Sequence, residues 1–160
     1  MKYFGYMPND LVNGQDVCVS LWTSGCPFHC EGCHNPEAWD KEAGYEIPSD
    51  IKRQLIKAIC ANGIKRNFSI LGGEPLAPWN RQFIDEIITS IRTAYPNIKI
   101  FLWTGFTIEE LDVAQDKYID HIMESIDVLI DGQFILEQQD TTLPLRGSRN
   151  QRVLYKGKDF

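Results

Sequence analysis

The chain has 160 residues, of which 43% are hydrophobic, 24% charged and 11% aromatic, a composition typical of one globular domain and unlike that of a disordered or fibrous chain. Its formal net charge is −6, which argues against a nucleic-acid-binding protein because such a protein needs a net basic face. No apolar run approaches the roughly 18 residues that a membrane span requires, and the N-terminus lacks the pattern of a secretory signal. We therefore expect a cytoplasmic protein that binds neither nucleic acid nor a membrane.

Strands and helices are predicted to alternate after an irregular N-terminal segment. Short β-rich runs predict four strands, at 17–23, 68–71, 98–103 and 127–130. Apolar residues at helical spacing predict three helices, at 50–61, 80–94 and about 117–125. Thr107 and Glu110 have the spacing of a capping box, which predicts a further helix start. The alternation implies right-handed βαβ crossovers and an α/β fold with a mainly parallel sheet covered by helices.

Each predicted strand is followed at once by a polar or glycine-containing segment. These segments are a cysteine-rich loop, Gly72–Pro75, Thr104-Gly105 and Asp131-Gly132. In a parallel sheet all four would lie at the carboxyl edge, where α/β proteins bind ligands. Any one of these glycines alone could be an ordinary turn former. Together, the four segments predict one site.

The cysteine-rich loop is the most informative stretch of the sequence. Cys26, Cys30 and Cys33 fall within eight residues, and the chain has five cysteines in all, an odd number that argues against a disulfide framework. Their spacing allows three thiolates of one short loop to bind a single inorganic centre. Cys18 and Cys60 lie outside the loop, and we interpret both as small buried apolar residues.

Two kinds of inorganic centre are compatible with this loop. A structural zinc ion takes four tetrahedral ligands, so His29, His34 or Cys60 would have to complete the set. A cubane iron-sulfur cluster usually takes four thiolates, and three would leave one iron open to a substrate or cofactor. An electron-transfer ferredoxin is disfavoured because a fourth thiolate is absent from the loop.

The three-cysteine loop followed by Gly72-Gly73-Glu74-Pro75 resembles the radical S-adenosylmethionine superfamily. Further segments resemble one family within it, the activating proteins of anaerobic ribonucleoside-triphosphate reductases, over residues 5–154. These segments are Asn13-Gly14, 22–26, 31–35, 103–105, 130–132 and 147–152. His34 departs from the superfamily pattern, in which a tyrosine is commoner, although an aromatic ring is kept.

The resemblance implies one 4Fe-4S cluster per chain, held by Cys26, Cys30 and Cys33, with S-adenosylmethionine chelating the fourth iron. It also implies a set of residues that contact S-adenosylmethionine. Gly72, Gly73 and Glu74 would hold the methionine amino group, and Gly32, Cys33 and His34 would contact the adenine end. Thr104 and Gly105 would lie near the ribose or methionine, and Asp131 would help to order this edge.

The resemblance further implies an activating enzyme with a protein substrate. An external one-electron reductant would reduce the cluster, which would cleave S-adenosylmethionine to a 5′-deoxyadenosyl radical. That radical would generate a glycyl radical on the large subunit of the anaerobic ribonucleotide reductase. The implied fold is a partial, open (β/α) barrel formed by residues 1–160 as one radical S-adenosylmethionine domain. Its short length would leave the edge of the sheet open to a partner loop.

Residues 146–160 carry five basic side chains against Asp159 alone. This basic tail, part of an irregular segment expected over about 133–160, could dock an anionic partner segment or hold itself to the acidic body. Two alternative functions also remain at this point. One is a radical S-adenosylmethionine enzyme that acts on a small molecule, and the other is a non-catalytic zinc-binding module.

Overall fold

A computed structural model describes all 160 residues and contains one open, seven-stranded sheet. The strands are β1 (Lys2–Asp10), β2 (Cys18–Thr23), β3 (Tyr45–Glu46), β4 (Asn67–Gly72), β5 (Ile100–Trp103), β6 (Val128–Asp131) and β7 (Arg152–Tyr155). Their order across the sheet is β3-β1-β2-β4-β5-β6-β7. The four central strands β2, β4, β5 and β6 are parallel, whereas β3, β1 and β7 pair antiparallel at the two sides. The expected α/β class is confirmed, but the sheet is parallel only in its middle and does not close into a barrel.

Four α-helices accompany the sheet. They are α1 (Ile51–Ile59), α2 (Arg81–Ala94), α3 (Ile108–Asp112) and α4 (Lys117–Ser125). The predicted capping box begins α3, since Thr107 Oγ1 accepts from the Glu110 N–H and the Glu110 carboxylate accepts from the Thr107 N–H. Helix α1 is shorter than predicted because Cys60 already leaves the helical conformation, with φ −115° and ψ 20°, and a short 3₁₀ turn at Ala61–Gly63 follows.

The main core lies between the helices and one face of the sheet. Alternate residues of a strand face opposite sides, so Ile100 and Leu102 of β5 join this core while Phe101 points to the other side. Leu55 of α1 and Ile87 of α2 are fully buried there, and each such side chain contributes about 1.5–3 kcal/mol through its removal from water. Loops and the C-terminal segment, rather than helices, cover the opposite face.

The two antiparallel sides differ from the sequence predictions. The N-terminal segment was expected to be irregular, but it forms β1, because its backbone groups pair with β2 despite the turn-forming Gly5 and Pro8 in this stretch. The expected irregular C-terminal segment contains β7, whose Arg152 is paired with Asp131 of β6. No helix has the length and apolar character needed to cross a bilayer.

Candidate functional site

A cavity of about 650 Å³ opens at the carboxyl ends of the four parallel strands. Nine of the predicted site residues line it: Cys26, Cys30, Cys33, His34, Gly72, Gly73, Glu74, Thr104 and Gly105. Gly32 and Asp131 do not line this cavity. The structure thus brings together all four predicted strand-end segments, those that follow β2, β4, β5 and β6, although Gly132 rather than Asp131 represents the last of them.

The cysteine loop is fixed at both of its ends by backbone hydrogen bonds. The N–H groups of Gly25 and Cys26 donate to the carbonyl oxygens of Ala38 and Trp39, at 2.8 and 3.0 Å. Within the loop the Cys33 N–H donates to the Cys30 carbonyl oxygen at 3.1 Å. These bonds close the chain into a compact turn beside the cavity.

The three loop thiols are unpaired and partly buried. Burial raises the pKa of the Cys26 thiol to about 11, and a backbone N–H of Phe28 opposes that rise. Burial also raises the pKa of the Cys30 thiol, and the backbone N–H of Phe134 opposes that rise. The Asn35 N–H lies 3.4 Å from Cys33 Sγ. Each sulfur therefore has a backbone donor that would stabilise a thiolate.

This donor set fits an iron-sulfur cluster. Three thiols line one cavity, and N–H groups at thiolate sulfurs are one of the means by which a protein tunes such a cluster. As they stand, no three His, Cys, Asp or Glu side chains, the three loop thiols included, lie close enough together to hold a single metal ion. Cys18 is completely buried in β2 and Cys60 packs against the main core, so neither lines the cavity.

The Gly72–Glu74 segment is joined directly to the start of the cysteine loop. Gly73 N–H donates to the Thr23 carbonyl oxygen at 2.9 Å, and Glu74 N–H donates to the Gly25 carbonyl oxygen at 2.8 Å. A Cβ on Gly73 would lie 2.6 Å from that Gly25 oxygen, so only glycine permits the approach. This close contact sets the distance between the two segments at the cavity.

Glu74 connects the ends of β4 and β5. Its carboxylate is 1% exposed and accepts hydrogen bonds from Thr104 Oγ1 at 2.8 Å, Gly105 N–H at 2.7 Å and Leu76 N–H at 2.9 Å. Burial raises its pKa to about 7, and the three donors oppose this. The predicted side chains Glu74 and Thr104 are therefore bonded to each other at the cavity wall.

Asp131 occupies the neighbouring part of this edge, outside the cavity. Its buried carboxylate accepts from Arg152 Nε at 3.0 Å and from the Ile108 N–H at 2.9 Å. Arg152 also binds Glu109 through two hydrogen bonds, at 2.9 and 2.7 Å, and lowers the pKa of that carboxyl to about 2. Asp131 thus holds β7 and α3 in place.

The basic tail is held to the body by several of its own side chains. Arg152 pairs with Asp131 and Glu109, and Lys156 donates to the Met123 carbonyl oxygen at 3.2 Å, whereas the bond from Arg146 to the Gln151 carbonyl oxygen, at 2.7 Å, lies within the tail. These contacts support the structural role considered for the tail.

Sequence reasoning missed several residues that line the cavity. Trp103, Gln133, Phe134, Arg146 and Gln151 all do so. Trp103 Nε1 donates to the Leu145 carbonyl oxygen at 2.7 Å and so ties the C-terminal segment to the sheet. Trp103 and Gln151 lie in the segments 103–105 and 147–152 on which the family resemblance rests, and that was the available signal, although it gave neither side chain a role. Gln133, Phe134 and Arg146 lie outside these segments.

Comparisons with known proteins agree with this site. A family model described as "4Fe-4S single cluster domain" matches residues 12–154. The chain is 38% identical to the anaerobic ribonucleoside-triphosphate reductase-activating protein of Vibrio cholerae, over 96% of this chain and 97% of that protein. It is 37% identical to the protein of the same name in Escherichia coli, over 96% of this chain and 97% of that protein. It is 32% identical to the protein of the same name in Enterobacteria phage T4, over 96% of this chain and 93% of that protein. The chain therefore belongs to the family of anaerobic ribonucleoside-triphosphate reductase-activating proteins.

Proposed function

We propose that this protein is a radical S-adenosylmethionine enzyme that generates a glycyl radical on an anaerobic ribonucleoside-triphosphate reductase. The observation that carries the proposal is the sharing of one cavity by three cysteine thiols, at the carboxyl edge of a parallel sheet, in a chain of the activating-protein family. The iron-sulfur family match favours this function over a zinc-binding module.

Cys26, Cys30 and Cys33 would hold one 4Fe-4S cluster, and no fourth cysteine lines the cavity. The remaining iron would be open to the amino and carboxylate groups of S-adenosylmethionine. When both are bound and the cluster is reduced by an external donor, they supply one-electron cleavage of the sulfonium and hydrogen-atom abstraction. The chain's own groups bind, orient and shield these reactants.

The residues beyond the cysteines would place S-adenosylmethionine. Gly72 and Gly73 give the cavity wall a backbone surface without side chains beside the cysteine loop. Glu74, the next residue, holds Thr104 and Gly105 at the cavity wall through hydrogen bonds to its carboxylate. Cys33 and His34 would lie at the adenine end, and the His34 ring is braced edge-on by Phe134, with 5.8 Å between ring centroids.

The sheet geometry supports a protein substrate. The sheet does not close, and the cavity opens beside the loops that carry the cysteines. Apolar side chains are also exposed beside the cavity, since Val12 lines it and its neighbour Leu11 is 75% exposed to solvent. We propose that residues 1–160 act as one domain, a partial (β/α) barrel, and that a glycine-bearing loop of the large reductase subunit enters at this open side.

Electron paramagnetic resonance tests the proposal. Anaerobically reconstituted protein, mixed with a related reductase, a one-electron reductant and S-adenosylmethionine, should give the doublet signal of a glycyl radical on the reductase. Cys30→Ala should abolish the doublet and keep the circular dichroism spectrum, because Cys30 lies outside the packed core. The partly buried Cys60, which packs against the core away from the cavity, provides the matched control, and Cys60→Ala should retain the signal. Absence of the doublet with wild-type protein that holds its cluster would refute the proposed activity.

A further inference from the structure

Two residues that follow β6 lie against the Cys30 sulfur, although they are more than 100 positions away in the chain. The Gln133 side-chain oxygen is 4.0 Å from Cys30 Sγ. The next residue, Phe134, packs against the cysteine loop, with its ring centroid 5.8 Å from that of His34, and its backbone N–H opposes the rise in the pKa of the Cys30 thiol that burial causes. Cys30 is therefore contacted from outside its own loop, in contrast to Cys26 and Cys33, whose backbone donors lie two residues further along the loop.

The C-terminal segment 147–151 holds the backbone of residues 132–135 in this position. Gln151 Nε2 donates to the Gly132 carbonyl oxygen at 2.9 Å, and Asn150 Nδ2 donates to the Gln133 carbonyl oxygen at 2.8 Å. Ser148 Oγ accepts from the Ile135 N–H at 3.2 Å. Three side chains of one short turn thus bind three residues of the strand end that faces Cys30.

The turn is itself fixed by internal hydrogen bonds. Gln151 Oε1 accepts from the backbone N–H groups of Gly147 and Ser148, at 2.9 and 3.2 Å. Ser148 is completely buried, and Arg146 binds the Gln151 carbonyl oxygen. Because its side-chain oxygen accepts from the turn and its side-chain nitrogen donates to Gly132, Gln151 links the turn to the end of β6.

We propose that Gln133 and Phe134 tune the reduction potential of the cluster through Cys30, and that Asn150 and Gln151 are the positioning residues for this contact. The inference rests on the proposed function, because it requires Cys30 to be a cluster ligand. Hydrogen bonds to the sulfur atoms of an iron-sulfur cluster help to set the reduction potential of the cluster, because a donor stabilises the reduced state, which carries more negative charge. Removal of the donor therefore shifts the potential to a more negative value.

The Gln133 amide can supply such a donor. In the protonated state, the Cys30 thiol donates to Gln133 Oε1. A thiolate ligand has no proton to donate, so a half-turn of the terminal amide presents Nε2 to the sulfur. Gln133 is exposed, which leaves the amide free to make this rotation.

The test is a redox titration of reconstituted protein, followed by the electron paramagnetic resonance of the reduced cluster. Gln133→Leu removes the donor and should shift the midpoint potential to a more negative value, and Gln133→Glu, which adds a negative charge, should shift it further. Gln139→Leu is the matched control, because Gln139 is an exposed glutamine of the same segment that does not line the cavity, and it should leave the potential unchanged. A potential that stays at the wild-type value in Gln133→Leu and Gln133→Glu overturns the proposal.

The positioning role is tested separately with Gln151→Glu and Asn150→Asp, which keep the size of each side chain and remove its donor. Each should shift the potential in the same direction as Gln133→Leu. Combined with Gln133→Leu, the Gln151→Glu change should add less than its own shift, because both act on one contact; full additivity overturns the positioning role. If Gln151→Glu does not fold, the same additivity test is made with Asn150→Asp in combination with Gln133→Leu. Failure of the wild-type protein to hold a cluster would refute the proposed function itself, whereas a stable cluster with an unaltered potential in the variants would refute this inference alone.

Discussion

The buried carboxyl of Glu74 makes the stability of this protein depend on pH in a defined direction. Its pKa is raised from 4.5 to about 7 by burial, so the folded state holds a proton there that the unfolded chain releases at lower pH. The contribution of this group to stability is complete below the unfolded pKa of 4.5 and is lost as the pH rises through about 7. The full change corresponds to about 3 kcal/mol.

The perturbation that isolates this effect is Glu74→Gln, which keeps the side-chain shape and does not titrate. The amide can accept from Leu76 and Thr104, but its NH₂ group then faces the Gly105 N–H. A buried donor left without an acceptor costs about 1–3 kcal/mol, so the variant should be less stable than wild type near pH 5. The free energy of unfolding of wild type minus that of the variant should then decrease by roughly 2–3 kcal/mol between about pH 5 and pH 8.

The assay is urea unfolding of the cluster-free, reduced protein, followed by circular dichroism at a series of pH values. Every other titratable group is present in both proteins, so the difference in their free energies of unfolding reports Glu74. A difference that stays constant or grows as the pH rises would refute the assignment of a raised pKa to this carboxyl.

Two further predictions concern the edge of the sheet. Gly73→Ala places a Cβ 2.6 Å from the Gly25 carbonyl oxygen and should lower the free energy of unfolding by about 1–3 kcal/mol; a variant as stable as wild type in urea unfolding would contradict the close-contact argument. Arg152→Ala removes the charged partner of the buried Asp131 and should lower the free energy of unfolding by about 1–3 kcal/mol. This loss is below the usual range for breaking a buried ion pair because the Arg152 side chain is 42% exposed. The exposed Arg149 supplies the control variant, and a loss no larger than that of Arg149→Ala in thermal unfolding would be incompatible with a structural Arg152.

The central strands could be predicted from sequence because their residues carry the signal themselves. Strand β6, for example, consists of three apolar residues followed by Asp131 at the turn, and all four of its residues are buried. Strands β1 and β7 could not be predicted in the same way. Their pairing depends on the neighbouring strands and, for β7, on the ion pair between Arg152 and Asp131.

The candidate site shows a similar division. Cys26, Cys30 and Cys33 are close together in sequence, so their spacing alone predicts a shared centre. The contacts of Glu74 with Thr104, and of Gln133 with Cys30, join segments 30 and 103 positions apart. Such contacts are created by the order of strands in the sheet, which local sequence patterns do not specify.

The central claim is that the cluster has one iron without a protein ligand, which S-adenosylmethionine can bind. The most direct measurement is the electron paramagnetic resonance spectrum of the reduced, reconstituted protein, recorded alone and with S-adenosylmethionine present. Binding to the open iron predicts a clear change in the g-values of the reduced cluster on addition of S-adenosylmethionine. A spectrum that S-adenosylmethionine leaves unaltered, from protein with about four iron atoms per chain, would contradict the claim.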